Sequence, residues 1–385
     1  MLFIKNGKIL TMGGQNFDKA SMLVKDGKIE SIGEGLTAPD GAEVIDAEGK
    51  FVLPGLVDAH THLGLSGHGV RWEGADHNEI SDNVTPHMRT IDAINAFDRS
   101  FFDTVAAGVT AVATSPGSAN VIGGQLTAMK TGGSNRVEDL ILTAPLAMKC
   151  ALGENPKNVH GQMKKVAPYT RMATAAIFRE AFYKAKEYLD KKDNAEAGKG
   201  PEFNMKHEAL LPVLRREVPI HIHAHRADDI YTALRLIKEF NLRAVIIHCS
   251  EGHLIVDDLV EAGIPAIIGP TMIFPGKPEA ANKTYETVGI LHRAGLKVCI
   301  TTDHPVIPLQ HLNVCAALAI QAGMDEMDAL KAITIYAAEI LELEHRIGSL
   351  EAGKDADITI WDKSPVDITS HVLYTIIDGK IVFKT

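Results

Sequence analysis

The chain has 385 residues, and 39 Lys+Arg against 49 Asp+Glu leave a formal net charge of −10, which argues against a nucleic-acid binder held by phosphate contacts. With 45% hydrophobic and 23% charged residues, 33 Gly and 17 Pro, the composition is that of a globular protein rather than a disordered, fibrous or membrane chain. The length suits one α/β barrel of about 250 residues plus something smaller.

The first fifty residues read as short strands with turn punctuation. Leu2 to Lys5, Ile9 to Met12, Ser21 to Lys25 and Ile29 to Ile32 are apolar runs, with Asn6-Gly7 and Asp26-Gly27 between them. This is hairpin chemistry, in which glycine supplies the positive φ. The last forty residues return to the same idiom, so both ends are expected to build one small β domain. Between them the pattern changes. Thr85-Pro86 predicts a helix start, with Ile91, Ile94, Phe97, Phe101 and Val105 at helical spacing up to Gly108. Helix, glycine and buried strand then recur at Ala107-Gly108, Ala262-Gly263 and Ala294-Gly295, which is α/β repetition. Seven candidate strands emerge: Leu56 to His60, Val109 to Thr114, Leu140 to Met148, Ile220 to His223, Ala244 to His248, Ile264 to Ile268 and Lys297 to Thr301. An eighth is expected in the Gly/Ser-rich stretch Ser115 to Ser134 or near Ala144-Pro145. Met172 to Leu189 reads as a helix with Phe178 and Phe182 on one face, followed by a polar loop from Asp190 to Asn204.

No run approaches the ~20 apolar residues of a membrane span, and nothing in the opening residues points to export. The four cysteines, Cys150, Cys249, Cys299 and Cys315, lie far apart with no C-x-x-C pair. Reduced thiols and a cytoplasmic location are therefore expected.

The chemistry gathers at strand ends. His60 and His62 are two residues apart, so the period of two turns both imidazoles to one face. In PIHIHAHR, His221, His223 and His225 share a face; His223 falls at the carboxyl end of the strand, His221 lies deeper, and His225 stands beyond it, available to substrate. Two further apolar runs end in His248 and Asp303. If the strands are parallel, all of these meet at one mouth, where imidazoles and a carboxylate suit Zn, with Mn, Fe, Co or Ni as further candidates. The loop from Gly64 to Thr85, with Trp72, is long enough to cover that mouth. Arg226 could fork onto a substrate carboxylate or pair with Asp228 or Asp229. The stretch SPGSANVIGG could cradle an anion through backbone N-H groups or serve turn geometry alone. Cys249 is better read as core than as a nucleophile, because its neighbour His248 points to the opposite face.

At VLPGLVDAHTH (52 to 62), AGVTAV (107 to 112), His223, His248, Asp303 and the tail IGSLEAGKDADITIWD (347 to 362), the chain resembles the amidohydrolase superfamily. An imidazolonepropionase-like or isoaspartyl-dipeptidase-like branch fits best. The resemblance implies a TIM-like (β/α)8 barrel at 53–345 with a β-sandwich from residues 1–52 and 346–385. It implies a centre of one or two divalent metals held by His60, His62, His223, His248 and Asp303. MKCALGE resembles the lysine-bearing strand of isoaspartyl dipeptidases, which makes Lys149 the bridging ligand as a carboxylated lysine; Glu154 is the alternative. The implied reaction is hydrolysis of an amide, cyclic amide or dipeptide C-N bond by metal-activated hydroxide, with Asp303 moving the proton and His225 as a second catalytic candidate. A mononuclear deaminase is the runner-up, disfavoured because PIHIHAHRADD offers no glutamate near the fifth-strand histidine. A catalytically silent scaffold would be expected to lack ligands that are all present here. The partner is a small-molecule substrate, with neither nucleic acid nor membrane, and a homo-oligomer is a base-rate expectation.

Overall fold

The computed structural model describes residues 1–196 and 199–385. The chain opens with strands β1 (Leu2–Ile9), β2 (Phe17–Lys25), β3 (Lys28–Gly33), β4 (Glu43–Asp46) and β5 (Phe51–Pro54). The middle contributes β6 (Leu56–Thr61), β7 (Val109–Thr114), β8 (Ile122–Gln125), β9 (Thr127–Lys130), β10 (Ile141–Thr143), β11 (Met148–Ala151), β12 (Ile220–Ala224), β13 (Ala244–His248), β14 (Ala266–Ile268) and β15 (Val298–Ile300). The end adds β16 (Ile358–Trp361), β17 (Val372–Ile377) and β18 (Lys380–Lys384). Strands from both ends of the chain share one eight-stranded sheet, ordered β18-β17-β16-β5-β1-β2-β3 with β4 beside β1. It has an apolar core of its own, centred on Ile4, Met22, Val52 and Ile358.

The middle of the chain is α/β. β6 and β7 pair in parallel, and β11 to β15 form an unbroken parallel run. Residues of β6, β7, β11 and β12 are buried throughout, as expected where both faces of a parallel sheet are covered. Only Gly55 separates the terminal sheet from β6. A Cβ there would lie 2.0 Å from Thr110 Oγ1, so no side chain fits where the two sheets approach. The helix–glycine–strand units are present, with helices ending at Ala106, Ala262 and Arg293 before β7, β14 and β15.

Three expectations about single elements fail. The turn expected at Asn6-Gly7, between strands Leu2 to Lys5 and Ile9 to Met12, is absent: β1 runs from Leu2 to Ile9 through that pair, with register shifts against β2 on either side of Gly7. The predicted helix from Thr85 is only Arg99–Ala106, capped by Asp98 accepting from Ser100 N at 2.9 Å. Thr85 does not cap it: its backbone N-H and hydroxyl bond the carbonyls of the Ile122–Gly123 segment, so residues 84–89 run along the edge of β8. The predicted strand Leu140 to Met148 is two strands, β10 and β11, with Val137–Leu140 helical. Pro145, which has no N-H to donate, lies between them, where the chain passes from one sheet to the other. The Gly/Ser-rich stretch supplies β8 and β9, both antiparallel to their neighbours. Helix Arg171–Asp193 runs past the predicted end at Leu189. Residues 197 and 198 of the predicted polar loop lie outside the described residues.

Lys130, at the end of β9, ties the middle of the chain to its end. Its buried ammonium reaches Asp357 at 2.5 Å, Asp355 at 3.1 Å and Asp378 at 3.3 Å. Removing one partner of a buried ion pair strands the other charge in a poor solvent, at about 3–5 kcal/mol. Lys130→Met is expected to lower the free energy of unfolding by that amount in urea titrations, whereas Lys5→Ala, whose partner Asp46 lies in water, leaves the midpoint unchanged.

Candidate functional site

His60 and His62 stand at the end of β6 with ring centroids 5.3 Å apart. Asp303, three residues beyond β15, places Oδ1 3.4 Å from Nε2 of each. His223, His225 and His248, at the ends of β12 and β13, form a second group with centroid separations of 4.8, 4.4 and 4.4 Å. In each triad the potential ligand atoms lie within 4.8 Å of one another. Lys149, on β11 and 1% exposed, sets its Nζ 3.2 Å from His60 Nε2. All seven residues line a single cavity of about 530 Å³.

The rings are aimed by bonds to their far nitrogens. His62 Nδ1 meets Ser115 O at 2.7 Å, His248 Nδ1 meets Gly269 O at 2.6 Å, and His225 Nδ1 meets Ser250 Oγ at 2.8 Å. The bonds of His62 and His248 to backbone carbonyls engage Nδ1 and leave Nε2 as the nitrogen available to a metal. Burial, first among the causes, pushes His60 and His248 well below the ordinary imidazole range and His225 to about 3. These rings are neutral at pH 7, the form that ligates. Burial likewise drives Lys149 down to about 7. Burial pushes Asp303 the other way, but the bonds to His60 and His62 outweigh it and hold the carboxyl well below its usual range. The backbone is strained here: His248, Cys249 and Asp303 have φ of 74°, 46° and 54°. Positive φ at such residues costs on the order of 1–3 kcal/mol each and concentrates at functional sites.

A divalent transition metal fits these residues. Nδ1 of His60 and both ring nitrogens of His223 are buried without a hydrogen-bond partner, and an unsatisfied buried polar atom costs roughly 1–3 kcal/mol. Neutral imidazoles beside an ionised carboxylate are the donor set for such a cation.

The remaining sequence-predicted residues lie elsewhere. His221 is buried below the group, pushed to about 3 by burial. Glu154 turns away: its Oε2 accepts from Glu279 N at 3.2 Å. Arg226 forks onto Asp228 at 2.9 and 3.0 Å. Trp72 is 89% exposed; the loop that carries it sends His77 and Asn78 into the cavity instead. Cys249 is buried, its thiol raised to about 12 by burial, which suits core packing better than a nucleophile.

Sequence reasoning missed Glu279. Its side chain is fully buried, with Oε1 3.4 Å from His223 Nε2 and 3.7 Å from His225 Nε2, and Oε2 accepting from Glu154 N at 3.0 Å. It arrives from a short turn at Pro278–Ala280, with no periodicity to mark it and no nearby ligand in the sequence. The expectation that no glutamate stands near the fifth-strand histidine is thereby corrected, because folding brings one in from the segment after β14.

The amidohydrolase family profile matches residues 51–382. Amidohydrolase tasK of Hapsidospora irregularis is 32% identical over 393 residues, covering 94% of this chain and 40% of that protein; the chain therefore spans less than half of tasK's length. An imidazolonepropionase of Brevibacillus brevis is 26% identical, covering 90% of this chain and 84% of its own. The crystal structure of an amidohydrolase from Thermotoga maritima MSB8 superposes with a TM-score of 0.97 at 43% identity over the full length of both chains. A Xaa-Pro dipeptidase with bound methionine shares the fold, with a TM-score of 0.61 at 19% identity over both full lengths.

Gly269 has φ 143°, and a Cβ there would lie 2.1 Å from Thr301 O. Gly269→Ala must therefore move the carbonyl that orients His248. Because such orienting bonds are worth about 10–100-fold in metal affinity, this variant is expected to lose metal to a chelator at least tenfold more readily than the parent, read by elemental mass spectrometry after dialysis.

Proposed function

This chain belongs to the amidohydrolase family, enzymes that hydrolyse carbon-nitrogen bonds, and on that premise we propose that it cleaves an amide, cyclic amide or dipeptide C-N bond with two divalent metal ions. The observation that carries this reading is the pairing of two three-donor groups in one cavity with a buried lysine amine beside them. His60, His62 and Asp303 would hold one ion, and His223 and His248 the other. Lys149, as its carbamate, would supply an oxygen to each, a role Glu154 cannot fill from where it sits. Zn suits this set best, with Mn, Fe, Co or Ni compatible. Such cations, when bound, lower the pKa of a water towards ~7 and polarise an amide carbonyl.

The chain's own residues supply positioning and proton transfer. Asp303 lines the cavity and commits only Oδ1 to the two imidazoles. In this reading it takes a proton from the attacking water and returns it to the leaving nitrogen. With Ser250 Oγ donating to its Nδ1, His225 carries its hydrogen on Nε2 and would donate it to the substrate carbonyl. Residues 53–345 are read as a catalytic unit whose two sheets are arcs of one closed (β/α)8 barrel, and residues 1–52 with 346–385 as a β-sandwich companion. The substrate is a small molecule.

Glu279 favours a second reading. A buried carboxylate beside the fifth-strand histidine is what a mononuclear deaminase needs for acid-base work, and this one lies 3.4 Å from His223.

Metal content per chain separates the two readings. Protein made with bicarbonate and mixed transition metals is expected to carry close to two ions per chain by elemental mass spectrometry, and removal of the metal to abolish amide hydrolysis; a value near one supports the deaminase. Asp303→Asn variants that retain metal are expected to lose about 10²–10⁴-fold in kcat, the range of one general acid-base group. Full turnover in such a variant would remove Asp303 from the proton path.

A further inference from the structure

The cavity has a charged residue that the reaction as described leaves without work. Besides the histidines, the charged groups lining it among the described residues are Asp303, Lys149 and Lys277. Lys149 is buried at the metal-binding end, whereas the Lys277 side chain is 49% exposed and stands at the solvent side. An ammonium has three hydrogens to donate. Lys277 gives one, to Asn155 Oδ1 at 2.8 Å. It forms a long ion pair with Glu279 Oε1 at 3.8 Å, beyond hydrogen-bond distance and longer than the 3.4 Å from that oxygen to His223, so two of its hydrogens remain to donate.

The neighbours of Lys277 hold it in a donating posture. Asn155 commits Nδ2 to Ser118 Oγ at 2.6 Å, so its oxygen must face the ammonium. Ser118 accepts that bond and keeps its own hydroxyl proton for another acceptor. A cation and a hydroxyl thus face the cavity in a protein whose net charge of −10 repels anions overall. The opposite character is close by. Phe274 is 86% exposed and Val306 half-exposed, both on the cavity wall with Ile273. Large exposed apolar side chains at the rim of a concave site mark ligand contact.

We infer that Lys277, set by Asn155 and Ser118, receives an anionic group of the substrate, so that the substrates are amides of apolar amino acids bearing a free carboxylate, N-acylated or as dipeptides. The inference rests on the reading of the cavity as an amide-hydrolysing site. Arg226, the other cation that could fork onto a substrate carboxylate, is already satisfied by Asp228 and does not line the cavity. One ammonium with one hydroxyl matches a monoanionic carboxylate better than a phosphate dianion, which draws on several charge-assisted donors. Glu279 Oε1 lies 3.4 Å from His223 and 3.8 Å from Lys277, so the two flank one carboxylate oxygen, which suits the short reach from a scissile amide carbon to the carboxylate of the amino acid it acylates.

The test uses metal-loaded full-length protein and Lys277→Met, with N-acyl leucines and apolar dipeptides, the same compounds as C-terminal carboxamides, and a phosphorylated N-acetyl sugar. The parent is expected to favour carboxylate over carboxamide by tenfold or more in kcat/KM, mostly through KM. Lys277→Met is expected to erase that ratio, and Lys277→Glu to invert it. A parent indifferent to the carboxylate, a ratio that survives Lys277→Met, or preference for the phosphorylated sugar overturns the inference. Calorimetric binding of the same compounds reads the anion site without turnover. Lys277-dependent carboxylate binding with no amide cleaved would sink the hydrolase reading and spare the anion site, and cleavage with Lys277-independent binding would do the reverse.

Discussion

One buried carboxylate, Asp58 on β6, holds the two parts of the first triad together. It accepts from His60 N at 3.1 Å, Thr301 Oγ1 at 2.6 Å, Thr302 N at 2.9 Å and Thr302 Oγ1 at 2.7 Å. No backbone ladder joins β6 to β15 among the described residues, so these bonds, with His62 N donating to His304 O, carry the junction. Burial pushes the Asp58 carboxyl up to about 6 against the lowering pull of its donors. The cost of sinking a carboxylate is thus used to pin His60 on one side and the turn that carries Asp303 on the other. Asp303 N in turn donates to Thr301 Oγ1 at 3.1 Å, and the 3.4 Å approach of Asp303 to both histidines follows.

The second triad is set by a different device. β12 and β13 pair in parallel with Ala224 opposite His248, which brings His223, His225 and His248 to one level. The carbonyl of Gly269 and the hydroxyl of Ser250 then turn two of the rings. Both devices place polar groups at the ends of apolar strands, where a rigid ladder ends and loops begin. That is where a fold can hold donors tightly and still admit a ligand. The positive φ at His248 and Asp303 is the strain accepted for it.

Much of this was legible along the chain. The H-x-H pair, the His223 ladder, His248 and Asp303 each end an apolar run, and the period of a strand is enough to say that such residues share a face. The placement of Lys149 beside His60 was legible only through a resemblance. The helix expected from Thr85 was not legible, because Thr85 and its neighbours commit their backbone groups to β8, a partner more than thirty residues away. Local helical spacing has no means of registering that competition.

Glu279, Lys277 and Asn155 show the same limit in and around the cavity. They sit on or beside single helical turns between strands, too short for periodicity to tell which way a side chain points, and the bonds from Glu154 to Glu279 and from Lys277 to Asn155 each span more than a hundred residues of chain. Alternation and turn chemistry are short-range, so the sequence by itself determined the β character of both ends, the α/β repetition and the residue types at the strand ends. Which carboxylate faces which imidazole, and which cation guards the mouth, depends on long-range packing and on the desolvation of charges, and only the tertiary structure decided it.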